Sequence, residues 1–239
     1  MPARHAFLPV EIEEDSQENR DSAAEALAVA TALQPRLVEV FAESRDAAGS
    51  GFVLGQLGAA MRSGTMLWVQ DRVVLRDHGR PYPHWCRSGS GKGGAGIVHV
   101  VARDAGQLLW AMEEGLKCAE LSAVIGEISG NPRALDFTAT RRLAVAAEQF
   151  GVPALLLRLG SQPDLSGARM RWRARSSPSF PPRWNAAAPG MPVWSLELFR
   201  ARGPRPGQWD AAYDRAADRL DLVSPLRDPA LGEGERRRG

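Results

Sequence analysis

Five short apolar runs, each separated from the next by a segment of different spacing, constrain this chain more than any other feature. Leu37–Phe41, Met66–Gln70, Ile97–Ala102, Leu121–Ile128 and Val152–Leu157 have strand length and little polar alternation, as strands buried on both faces do. Between them the period changes to that of helices. Phe52, Leu57, Ala60 and Met61 recur up to Gly64, and Asp104 with Gln107 forms a capping pair ahead of Leu108, Leu109, Met112 and Leu116. Leu143, Ala146, Ala147 and Phe150 fall at i, i+3, i+4 and i+7 in a helix that opens near Thr138 and stops at Gly151. An alanine-rich helix, Ser22–Leu33, precedes the first strand and is ended by Pro35. Strands joined through helices require crossover connections, so the chain is expected to be α/β, with a mainly parallel sheet and helices on both faces.

The pattern breaks twice. Residues 71–96 read as an irregular connection rich in Gly, Pro, Ser and Arg. After Gly167, two alternating segments, Ala168–Ser176 and Val193–Arg202, flank a Pro-rich stretch and read as an antiparallel hairpin added at one edge of the sheet. The expected organisation is an acidic, flexible lead over 1–21, one domain over 22–223, and a disordered tail over 224–239.

Several functional classes are disfavoured at once. No apolar stretch approaches the roughly 20 residues needed to span a bilayer. The first residues are acidic, without the basic-then-apolar order of a secretion signal, so a cytoplasmic protein without membrane contact is expected. Two cysteines, Cys86 and Cys118, make no disulfide framework. His84 and Cys86 lack the further ligands that a tetrahedral metal site needs, so no metal or other cofactor is expected. No nucleophile–base arrangement has local support.

Nucleotide chemistry receives a closer look. The run Ser88–Gly96 resembles a phosphate-cradling loop, but Gly93 stands where a magnesium-binding hydroxyl belongs, and the run precedes a strand where such a loop should follow one and open a helix. The turn after the first strand, Ala42–Gly51, has the right place in the architecture. It contains no lysine, and Glu43 and Asp46 would repel phosphate oxygens. Glu127, at the end of the fourth strand, sits where a magnesium-binding acid would lie; without a partner loop it reads as a solvated strand-end carboxylate.

The net charge of +2 conceals a basic stretch between Arg158 and Arg205. Its centre is Arg169-Met-Arg-Trp-Arg-Ala-Arg175, where alternation in a strand puts four arginines on one face and Met170, Trp172 and Ala174 on the other. Arg200 and Arg202 on the returning strand would lie nearby. Two readings stand: a surface that binds DNA or an acidic partner through Arg169, Arg171, Arg173, Arg175, Arg200 and Arg202, or a charged edge that blocks strand-to-strand aggregation.

The opening strand with Gly49-Ser-Gly-Phe52 resembles the start of a RecA core whose Walker lysine is lost. Four further stretches resemble the ImuA family of inducible mutagenesis proteins. They are Leu108–Glu114, Leu135-Asp-Phe-Thr-Ala-Thr-Arg-Arg-Leu143, Arg171-Trp-Arg173, and Trp194–Arg202 followed by Gly207-Gln-Trp-Asp210. The resemblance covers roughly residues 22–215. It implies a RecA-like fold without ATPase activity, induced by DNA damage. It also implies an ImuB-like protein and an error-prone DnaE-type polymerase as partners in translesion synthesis. A SulA-like inhibitor of cell division and a RecA-like ATPase using Lys92 are the alternatives.

Overall fold

A computed structural model describes residues 14–57, 64–82, 96–180, 185, 188–214 and 219–223. The expected strands appear as β1 (Leu37–Ala42), β2 (Thr65–Asp71), β3 (Ile97–Ala102), β4 (Leu121–Ser129) and β5 (Ala154–Leu159). Four more follow: β6 (Met170–Phe180), β7 (Met191–Ala201), β8 (Gly207–Asp214) and β9 (Arg219–Leu222). All nine belong to one sheet, in the order β3-β2-β4-β5-β1-β6-β7-β8-β9. From β3 to β6 every neighbour is parallel; from β6 to β9 every neighbour is antiparallel. The hairpin expected at one side of a mainly parallel sheet is therefore β6–β7. It extends outward through β8 and β9, which the sequence reading left unassigned.

The helices are α1 (Glu14–Thr31), α2 (Ala48–Leu57), α3 (Arg72–His78), α4 (Ala105–Leu116) and α5 (Phe137–Phe150). Helix α1 starts eight residues before Ser22, inside the acidic lead. Helix α3 lies in the stretch read as irregular, where the Asp71 carboxylate accepts from the Val73 amide at 2.8 Å and starts a helical turn. The capping pair at α4 is present: Asp104 accepts from the Gln107 amide at 2.8 Å, and the Gln107 side chain accepts from the Arg103 amide at 2.7 Å. Helix α5 begins one residue before Thr138 on its cap Asp136 and ends at Gly151, whose φ of 73° favours a residue without Cβ. Residues 88–95 of the Ser88–Gly96 run, with Lys92, as well as His84, Cys86 and the 224–239 tail, lie outside the described residues.

Each sheet face carries its own core. Buried residues of α1 and α2 pack with Trp68, Trp172, Trp194 and Trp209 on one face, and those of α4 and α5 pack with Leu37, Val124 and Leu156 on the other. Trp172 is fully buried, its ring edge-on to Phe52 at 5.0 Å and tilted against Trp209 at 5.7 Å.

Candidate functional site

The arginine face is present, but its members meet different fates. Met170, Trp172 and Ala174 are buried on the α1–α2 side, so the arginines project toward the α4–α5 side, as alternation requires. Strand β6 is not solvent-flanked there. Its parallel register with β1 sets Arg171 beside Glu39, and both are buried. Arg171 Nε donates to Glu39 Oε2 at 2.7 Å. Arg158, also fully buried, lies 3.5 Å from the other Glu39 oxygen and donates to Asp164 at 2.7 Å. Both guanidinium groups lie over the Phe41 ring, at 5.0 and 5.1 Å from its centroid. Arg173 donates to Glu197 at 2.7 Å across the hairpin and stacks on Phe199 at 4.4 Å. Arg171 is thus an interior ion-pair member and Arg173 a cross-strand one. Arg175 is exposed farther along β6, within electrostatic reach of Asp46.

The remaining candidates converge. Arg169, Arg200 and Arg202 line a cleft of about 600 Å³ together with Arg141 of α5. Arg202 bonds through its backbone to Arg169 at 2.8 Å, which holds the end of β7 against the start of β6. The loop before β6 closes tightly on the helix: a Cβ on Gly167 would stand 2.6 Å from the Arg141 Cα, so only glycine allows this approach. Neither Asp nor Glu lines the cleft. Glu148 is held by Arg169 through two hydrogen bonds, one of 2.9 Å, and that pairing, with Arg202 within electrostatic reach, lowers its carboxyl below the usual range. Arg141, Arg200 and Arg202 have no hydrogen-bond or ion-pair partner among the described residues. Phe137 and Val145, one helical turn to either side of Arg141, add half-exposed apolar surface. Sequence reasoning missed Arg141 and Phe137, although both lie in the Leu135–Leu143 stretch that carried the family resemblance.

A second cleft, about 320 Å³, lies on the opposite face between the start of α2 and the segment after α3. Asp46 occupies the helix start: its carboxylate accepts from the Ala48 amide at 2.8 Å and from the Ser176 amide and hydroxyl at 2.8 and 2.5 Å. Burial would raise this carboxyl, but the Ser176 and Ala48 bonds, with Arg175 nearby, outweigh it and keep it below its ordinary value. Glu127 also lines this cleft, and it is buried, not solvated as the sequence suggested. The reason lies on the neighbouring strand: Trp68 Nε1 and Gln70 Nε2 of β2 donate to Glu127 Oε2 at 3.1 and 2.7 Å. Burial still dominates and pushes its carboxyl up. Gln70 in turn meets His99 Nε2 at 2.8 Å, which spreads the polar chain to β3. Among the described residues no helix is long and apolar enough to cross a membrane.

No protein-family model matches the chain. It is 33% identical over 193 residues to the proteins named Protein ImuA in two strains of Caulobacter vibrioides, an alignment that covers 74% of this chain and 74% of each relative.

Proposed function

Because the chain belongs to the ImuA family, we propose that it is a non-catalytic accessory protein of damage-induced mutagenesis. In this reading it works in the cytoplasm as an adaptor between an ImuB-like protein and an error-prone DnaE-type polymerase during translesion synthesis. The observation that carries the reading is the start of α2. A nucleotide loop at this turn would offer free backbone amides and a lysine to phosphate oxygens. Here the Asp46 carboxylate already takes the Ala48 amide, and residues 42–51 include no lysine. An ionised carboxylate at that spot repels phosphate, so the RecA-like architecture supplies a scaffold for contacts in place of a hydrolytic site.

Two measurements on the purified protein test this. Phosphate release from magnesium-ATP stays at background and the melting temperature does not move with added nucleotide; magnesium-dependent turnover that Lys92→Ala abolishes would overturn the reading. The tagged protein retains a co-expressed ImuB-like partner through purification, and failure to retain either it or the polymerase contradicts the adaptor role.

A further inference from the structure

We propose that the arginine cleft beside α5 binds the phosphodiester backbone of a single nucleic-acid strand. The accessory role given above supplies a natural source of that strand, but the chemistry of the cleft stands without it. Four of the eleven lining residues are arginines, brought from three parts of the fold: Arg141 from α5, Arg169 from just before β6, and Arg200 and Arg202 from the end of β7 and just beyond it. Arg141 and Arg200 have no acidic partner among the described residues, and Arg202 makes no direct ion pair although Glu148 lies within its electrostatic reach, so all three meet a ligand without first breaking an ion pair. Such clustering of arginines on a protein whose net charge is only +2 is a local anion site, not a diffuse basic surface.

Shape favours a thread over a cylinder. A duplex is far too wide to enter a cleft of about 600 Å³, whereas an extended single strand can lie between its walls of helix and strand end. Along β7, alternate residues stand about 7 Å apart, a spacing that lets Arg200 and Arg202 reach successive phosphates of an extended strand. Phe137 in the cleft lining, 39% exposed, offers a face on which one base stacks. An acidic peptide is the competing ligand. Beyond Phe137 and Val145 the apolar lining is alanine alone, which gives such a peptide little apolar anchorage.

The test is fluorescence anisotropy with a labelled 20-nucleotide oligo-dT, a duplex of the same length and a labelled ten-residue polyglutamate peptide, over a series of salt concentrations. Wild-type protein should bind oligo-dT more tightly than duplex. The double variant Arg200→Gln/Arg202→Gln removes two exposed arginines that make no ion pair, so it should fold as wild type. It should flatten the plot of log affinity against log salt by roughly 1.4 units, from about 0.7 per lost phosphate contact. Arg141→Gln should flatten it by about 0.7, while the charge-matched control Arg72→Gln/Arg103→Gln keeps the wild-type slope. The proposal is overturned if wild type does not bind oligo-dT saturably, if the control loses as much as the cleft variant, or if the cleft variant loses polyglutamate binding alone. In the last case the cleft is a protein-docking site, and the accessory role proposed above is untouched.

Discussion

Arg171 and Arg200 face each other across the β6–β7 hairpin, yet one is structural and the other is free. Removing one member of a buried pair leaves the other charged and desolvated, which typically costs about 3–5 kcal/mol. Arg171→Met should therefore melt far below wild type because Glu39 loses its 2.7 Å donor, whereas Arg200→Gln should stay within about 0.5 kcal/mol; denaturant melts of the two variants decide it. Glu127 makes a pH prediction. Its folded carboxyl titrates above its ordinary value, so the unfolded chain releases that proton first as pH rises. The penalty is absent below the ordinary glutamate range, grows through it, and is complete above the raised folded value. Glu127→Gln keeps an acceptor for Trp68 and Gln70 and removes the charge. It should flatten the decline of stability with rising pH and melt at or above wild type at neutral pH; an unchanged pH profile contradicts the burial argument. Neither behaviour was legible in the sequence. Alternation correctly sorted Arg171 and Trp172 to opposite faces, but the partner that buries Arg171 lies 132 residues away, and the donors that bury Glu127 lie 57 and 59 residues away. Local pattern fixes which face a side chain takes, and only the register between distant strands decides what meets it.

Elements were more legible than their edges. The first five strands announce themselves by continuous apolar runs, and the cap of α4 by Asp104, whereas the cap of α5, Asp136, went unread ahead of Thr138. Strand β8 was missed although Trp209, Ala211 and Tyr213 alternate within it and are buried, because eight residues ending in Tyr-Asp give a short period-two signal among Gly and Pro. Helix α3 was missed for a similar reason: its seven residues contain one buried side chain, Val74. At α2 the cap carries the functional argument. Asp46→Ala removes an amide acceptor at the helix start and the tie to Ser176 on β6, and should cost about 1 kcal/mol, as losses of such caps do. It should also leave nucleotide binding absent, because the turn still has no lysine. Calorimetry with and without magnesium-ATP checks both outcomes, and nucleotide affinity gained by this single change would mean that the carboxylate alone had blocked a working site.

Across the whole molecule, a continuous nine-stranded sheet joins two surfaces of different character. One face holds the closed turn at α2, with Asp46 on its first amide; the other holds the arginine cleft, where among the described residues Glu148 is paired with Arg169 and within reach of Arg202 while Arg141 and Arg200 have no acidic partner. The sequence exposed the lack of a lysine in the turn at the first and the basic run at the second. It did not show that only part of the run reaches the cleft, or that α5 contributes Arg141 from outside it. On the proposed function, this scaffold serves damage-induced mutagenesis without chemistry of its own. The most direct measurement is the frequency of mutations induced by DNA damage in host cells that lack the gene, that also lack the ImuB-like partner, or that carry the gene restored. Induced mutation should fall on deletion, fall no further when the partner is also deleted, and recover on restoration, by Lys92→Ala as fully as by wild type. Undiminished induced mutation in the deletion strain would contradict it.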